Sequence, residues 1–140
     1  MNSLPKEVLA EKENIEKVIT VLNDAMNRTE KSIIELAAIA TFLHNIYNGI
    51  ENILKQTLKK KTIDVPKSQT WHKDLLNISV SFRVISAELS DELYEYLTFR
   101  HFFIHAYGFM LKEEQLEGLA RKIPDIWLRF LVEIKKFVNS

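Results

Sequence analysis

The chain has 140 residues, no cysteine, and 19 basic residues against 19 acidic ones, so its formal net charge is zero. This length and a hydrophobic content of 46% are typical of one folded domain, spanning 1–140. The missing cysteines exclude disulfide scaffolds, thiolate catalysis and cysteine-bearing zinc sites. Nonspecific coating of nucleic acid is disfavoured by the balanced charge. With no signal-peptide pattern and no apolar run of membrane length, we expect a soluble cytoplasmic protein.

The apolar periodicity of the first half predicts two long helices. Val8, Ile15 and Leu22 repeat every seven residues and predict a helix from about Pro5 to Arg28. A similar repeat predicts a second helix from about Ser32 to Lys60, in which Gly49 indicates close helix packing. Two long helices joined by a short turn form an antiparallel hairpin.

The second half predicts shorter helices with clearer boundaries. The lysine run 59–61 and residues 62–69 read as a connector; the lysines suit either a helix C-terminus or a basic lip beside an RNA groove. A third helix is predicted from about Thr70 to Val84 and a fourth from an N-cap at Ser90 to near Gly108. The last segment, 113–138, is expected to be helical and divided by Pro124. The predicted fold is all-α, an antiparallel up-and-down bundle of four to five helices.

One run in the fourth helix combines polar chemistry with an apolar setting. It contains Arg100, His101, His105 and Tyr107 within an aromatic-rich stretch. Buried arginine and histidine are rare unless something binds them. Arg100 and His105 are five residues apart, about 140° around a regular helix. Either the helix loosens near His105 or a second copy of the chain supplies half of the site.

These residue types suit phosphoryl chemistry. Arginine holds a fixed fork of donors for phosphate oxygens and keeps its charge. Histidine titrates near neutrality and moves protons in either direction. Cleavage of RNA by attack of its 2′-hydroxyl needs a base, a positive charge on the phosphorane and an acid for the leaving oxygen. Arginine, histidine and tyrosine together supply these functions without a metal.

Structural roles are the alternative for each of these residues. Arg100 suits an ion pair with Glu92, Glu95 or a carboxylate on another helix. His105 alone suits a satisfied core histidine, and Tyr107 a core aromatic. His101 and His105 have the spacing of two metal ligands, but no third ligand is evident, and no metal or other cofactor is predicted. His44 and His72 belong to no visible constellation, and both tryptophans, Trp71 and Trp127, are assigned to the core.

The pattern from Arg100 through His105 to Tyr107 resembles the R-x4-H-x-Y signature of HepT toxins, which belong to the HEPN superfamily. His101 fits the polar residue that often follows the arginine there, although asparagine or aspartate is commoner. The late position of the motif and the helical layout from about Pro5 to Val138 also fit. The resemblance therefore implies a HEPN-like bundle.

The resemblance also implies a function. Such HEPN proteins are metal-independent RNases whose motifs face each other across a homodimer cleft, so each site would draw on both chains. Arg100 and His105 would be catalytic, and His101 would support them. Tyr107 would contact substrate and receive AMP from the cognate antitoxin, a minimal nucleotidyltransferase (MNT), in a type VII toxin–antitoxin pair. The adenylate would block the place of the substrate phosphate.

We therefore expect an endoribonuclease toxin that cuts tRNA or mRNA and acts neither on DNA nor at a membrane. One alternative is a non-catalytic HEPN subunit that binds a nucleotidyltransferase and presents its substrate or nucleotide. Another is a purely structural helical bundle in which the arginine and the histidines form a satisfied network.

Overall fold

The computed structural model describes residues 4–105 and 112–140, with the side chains of residues 103–105 outside that description. Five helices and no strand are found in the described part of the chain. The helices are α1 (Lys6–Met26), α2 (Ile33–Lys60), α3 (Trp71–Ser81), α4 (Ala87–His105) and α5 (Glu113–Val138). The predicted all-α bundle is confirmed, and each of the first three helices begins and ends within three residues of its predicted bounds.

α1 and α2 form the predicted hairpin. Ser32 caps α2: its side chain accepts from the Glu35 backbone N–H, and the Glu35 carboxylate accepts from the Ser32 backbone N–H. Gly49 lets the two helices approach closely, because a Cβ at this position would lie 2.6 Å from Ile15 Cγ1. The interpretation of Gly49 as a close-packing residue is confirmed.

α2 is the central helix, and it packs against each of the other four. Its buried residues include Leu43, Ile46, Ile50 and Leu54. By length and composition alone α2 is long and apolar enough to cross a membrane, although no segment of this kind was expected from the sequence. A long helix of largely apolar composition is equally expected at the centre of a helical bundle.

The start of α4 differs from the prediction. The helix begins at Ala87, and Ser90 lies inside it instead of capping it. The Ser86 side chain accepts from the Leu89 backbone N–H at 3.1 Å, and Glu133 of α5 accepts from the Ser86 hydroxyl at 3.1 Å. Ser86 is therefore the cap, because a carboxylate distant in sequence also holds it in place. The predicted end near Gly108 lies outside the described residues.

α5 was predicted to be divided at Pro124, and this prediction was wrong. The helix runs from Glu113 to Val138 with Pro124 inside it. Proline removes one backbone hydrogen bond from a helix interior. Here Ile123, Ile126 and Trp127 are buried on either side of it, so dividing the helix would sacrifice apolar burial on both sides of the break. Trp127 also donates to the Glu16 carboxylate of α1 at 3.1 Å, which joins the first and last helices.

Candidate functional site on helices α2 and α4

Arg100 lies on α4, half-buried against the central helix. Its Nε–H donates to Asn48 Oδ1 of α2 at 2.9 Å. The two carboxylates suggested as its ion-pair partners, Glu92 and Glu95, instead pair with Arg129 and Lys122 of α5. An uncharged amide, rather than a carboxylate, thus accepts the hydrogen bond of the Arg100 Nε–H. The two Nη groups carry the remaining donors of the guanidinium, in the geometry that binds two phosphate oxygens.

Asn48 links Arg100 to a second side chain on α2. Asn48 Nδ2 lies 3.0 Å from His44 Nε2, one helical turn earlier. Because arginine only donates, the amide oxygen of Asn48 must face Arg100 and its NH2 group must face His44. His44 Nε2 must then accept, which requires the neutral ring with its proton on Nδ1. Arg100 thus fixes which atoms donate and which accept in both hydrogen bonds, the one from Arg100 to Asn48 and the one from Asn48 to His44.

The electrostatics of the site favour that neutral form. Burial and, secondarily, the positive charge of Arg100 lower the pKa of His44 below its ordinary value of 6.5, while Glu51 opposes the shift. Burial is also the main cause that raises the pKa of Tyr47, and the Glu51 carboxylate adds to it. Tyr47 is therefore a neutral phenol in the core beside the site.

A second polar pair lies one turn further along α2. Glu51 is only 2% exposed, and both of its carboxylate oxygens lie 2.9 Å from His72 Nδ1 of α3. The interpretation of His44 and His72 as histidines without a constellation was therefore wrong. His72 meets Glu51 only because α3 packs on α2, and the pair of His44 and Asn48 within α2 meets Arg100 only because α4 packs there.

The remaining predicted site residues lie near the end of the described part of α4 or beyond it. α4 remains helical through His105, so at ~100° per residue positions 100 and 105 are about 140° apart around the helix axis. The ring of His101 is exposed on α4. The side chain of His105 and the whole of Tyr107 lie outside the described residues. Among the described side chains, no group of three or more histidine, aspartate or glutamate residues is arranged to hold a metal ion.

Comparison with known proteins identifies the chain. Residues 38–140, which include most of α2, all of α3 to α5 and the whole motif, match the family described as HepT-like protein. The chain belongs to the HepT-like family. No curated protein matches it.

Two solved structures resemble this HepT-like chain. The cytosolic protein of unknown function YutE from Bacillus subtilis has a TM-score of 0.65 at 17% identity, over 91% of this chain and 90% of that one. A toxin–antitoxin crystal structure with AMP-PNP has a TM-score of 0.67 at 12% identity, over 97% and 96% of the respective chains. These similarities show that the HepT-like chain has the predicted HEPN-like helical fold.

Proposed function

We propose that this protein is a metal-independent endoribonuclease toxin that cuts tRNA or mRNA at a site built on Arg100 and His105. The observation that carries the proposal is the placement of Arg100 in a HepT-like chain. Its guanidinium is held by an amide and not by a carboxylate. A carboxylate paired with the guanidinium would repel a phosphate and compete with it, whereas the Asn48 amide brings no negative charge to the site.

The proposed reaction is an attack of the RNA 2′-hydroxyl on the adjacent phosphorus. The 2′-oxygen bonds to phosphorus, the bond from phosphorus to the 5′-oxygen breaks, and a 2′,3′-cyclic phosphate and a 5′-hydroxyl are formed. His105 takes the proton of the 2′-hydroxyl, and the leaving 5′-oxygen receives a proton from water. The Nη groups of Arg100 bind the phosphorane oxygens, where negative charge develops. His101 supports the orientation of these groups.

A homodimer accounts for the angle between Arg100 and His105. If the two motifs face each other, Arg100 of one chain meets His105 of the second across the cleft. Two large apolar side chains near the motif support contact there, since Tyr94 and Phe102 on α4 are 44% and 40% exposed.

Mixing two inactive variants tests the shared site. A heterodimer of Arg100→Ala and His105→Ala chains contains one complete site if the two residues come from different chains. Random exchange of subunits would then restore roughly a quarter of the wild-type activity. If each site lies within one chain, every site in the mixture carries a defect and the mixture stays inactive.

The proposed antitoxin is a minimal nucleotidyltransferase that attaches AMP to the hydroxyl of Tyr107. The chain has four tyrosines, of which Tyr47 and Tyr96 are buried. Tyr94 is exposed on α4 and gives a matched control. Co-expression with a minimal nucleotidyltransferase encoded beside this chain should add one adenylate, measured by intact mass, to the wild type and to Tyr94→Phe, but none to Tyr107→Phe. An inactive, co-expressed wild type without adenylate would refute this mode of neutralisation.

Expression in cells distinguishes the toxin from a binding-only subunit. Wild-type protein should arrest growth and degrade cellular RNA, whereas His105→Ala should do neither. Arg121→Ala is a suitable control, because this exposed arginine pairs with Glu117 away from Asn48. If the wild type is harmless and its purified dimer leaves RNA intact, the non-catalytic subunit is the better account. The proposed site of action is the cytoplasm, in keeping with the cytosolic assignment of the structurally similar YutE.

A further inference from the structure

A cavity of about 590 Å³ lies where the end of α2 meets the start of α3. Lys55, Lys59 and Lys67 line it together with Trp71, and Asp64 is the acidic residue of its lining. The cavity therefore has an excess of positive charge, although the whole chain is neutral. Val65 adds an apolar wall. Cationic side chains around an aromatic ring are the combination that binds single-stranded nucleic acid.

The aromatic wall of this cavity is held in place from two directions. Lys55 Nζ lies 4.0 Å from the centroid of the Trp71 ring, within the range of a cation–π contact. The next residue, His72, is bound by the buried Glu51 carboxylate at 2.9 Å. Two residues of α2 thus hold the start of α3, Lys55 at Trp71 and Glu51 at His72, so a ligand would meet a preformed surface.

The cavity lies on the same stripe of α2 as the Arg100 contact. His44, Asn48, Glu51, Lys55 and Lys59 follow each other at intervals of three or four residues, so they share one side of the helix. Asn48, which holds Arg100, is separated from Lys55 by about 10 Å along the helix axis and from Lys59 by about 16 Å. A single-stranded RNA that has one phosphate bound at Arg100 can reach the cavity with the nucleotides next to that phosphate.

We propose that the cavity formed by Trp71 and the three lysines is a subsite for a single-stranded RNA nucleotide a short distance from the scissile phosphate. Its base packs against Trp71 and the apolar wall, and its phosphates lie between Lys55, Lys59 and Lys67. The inference rests on the proposed ribonuclease function and adds to it a requirement for unpaired RNA beyond the cleaved bond. It also gives the lysines at the end of α2 a role in binding substrate, in addition to their position at a helix C-terminus.

Cleavage of two substrates of different length tests the subsite. A hexanucleotide reaches from Arg100 to the cavity, whereas a dinucleotide spans only the cleaved bond. Trp71→Ala should lower kcat/KM for the hexanucleotide by roughly 10-fold and leave the dinucleotide unchanged, while Trp71→Phe keeps most of the activity. Equal effects of Trp71→Ala on both substrates, or no effect on either, would overturn the subsite.

Charge variants test the same site without disturbing the core. Lys59 is exposed, and Lys59→Glu should raise KM for the hexanucleotide alone. Lys59→Gln should reduce the slope of log affinity against log salt concentration by about 0.7, measured with the non-cleaving His105→Ala chain. Lys60→Gln is the matched control, since Lys60 is the next residue along α2 and lines a different cavity. Equal salt slopes for the two glutamine variants would contradict the proposal.

The outcomes separate this inference from the proposed function. If wild-type protein cuts both RNAs and the Trp71 and Lys59 variants do so equally well, the subsite is wrong and the nuclease stands. If wild-type protein cuts neither RNA, the nuclease is wrong and the subsite falls with it. An acidic peptide is the competing occupant. If a tetraglutamate peptide displaced the hexanucleotide from the His105→Ala chain as effectively as unlabelled RNA, the cavity would be a general polyanion surface.

Discussion

Replacing Asn48 by alanine tests whether the α2 amide positions Arg100 for catalysis. The substitution removes the acceptor that lies 2.9 Å from Arg100 Nε and the NH2 group that lies 3.0 Å from His44 Nε2. A hydrogen bond to a charged group contributes about 1.5–3 kcal/mol, and the half-buried position of Asn48 favours the lower end. We therefore expect a loss of about 1–2 kcal/mol in the free energy of unfolding.

The expected effect on catalysis is larger than the effect on stability. Without its acceptor, the guanidinium of Arg100 is free to shift, and a displacement of ~1 Å at a catalytic group can lower the rate on the order of 100-fold. Because the phosphorane depends on correct placement more than the ground state does, kcat should fall further than KM rises. The assay is single-turnover cleavage of a labelled RNA, alongside chemical unfolding of the same preparation.

Asn52→Ala is the matched control. Asn52 lies one turn after Asn48 on the same helix, and its amide donates to Glu11 of α1 at 3.3 Å. Both variants remove a hydrogen bond between an asparagine side chain of α2 and another helix, but only Asn48→Ala affects Arg100. If the two variants cleave RNA at the same rate while Arg100→Ala is inactive, Arg100 does not depend on Asn48 and the positioning argument is refuted.

Two further predictions concern pH and packing. The pKa of His44 is lowered by burial first and by Arg100 second, so between that value and the ordinary pKa of 6.5 the unfolded chain binds more protons than the folded one. The free energy of unfolding should therefore fall as pH drops below about 6.5, and His44→Gln should flatten this dependence in unfolding curves from pH 7.5 to pH 5; an unchanged slope would contradict it. Gly49→Ala should destabilise the fold by about 1–3 kcal/mol, because its Cβ would lie 2.6 Å from Ile15 Cγ1. Gly118→Ala, whose Cβ meets no described atom within 4 Å, should stabilise α5 by about 0.5–1 kcal/mol, and thermal unfolding that ranks the two variants the other way would be evidence against this packing.

The sequence predicts the long helices well because their signals are local. The repeat of Val8, Ile15 and Leu22 defines the face of α1 that the structure buries. The errors arise where tertiary contacts overrule a local signal. Serine is a common capping residue, which favoured Ser90, but Ser86 is the cap because Glu133 accepts a hydrogen bond from its hydroxyl. Proline commonly interrupts a helix, but burial on both sides of Pro124 keeps α5 continuous.

Only part of the candidate site could be predicted from the sequence. The motif on α4 identifies Arg100, but its partner Asn48 is 52 residues away, and no periodicity connects two residues so far apart. A weaker signal was present in α2. His44, Asn48 and Glu51 follow one side of a helix that is otherwise strongly apolar, as the polar residues of α4 do. Two such stripes in one bundle predict that the helices meet through them, because buried polar groups need partners.

The most direct test of the central claim is cleavage of RNA by purified protein in the presence of a metal chelator. Wild-type protein should yield fragments that end in a 2′,3′-cyclic phosphate and begin with a 5′-hydroxyl, at a rate that the chelator does not change. Arg100→Ala and His105→Ala should each lower that rate by at least about 100-fold while remaining folded. Cleavage that stops with the chelator, or that continues undiminished in both variants, would contradict the assignment of Arg100 and His105 as the catalytic pair.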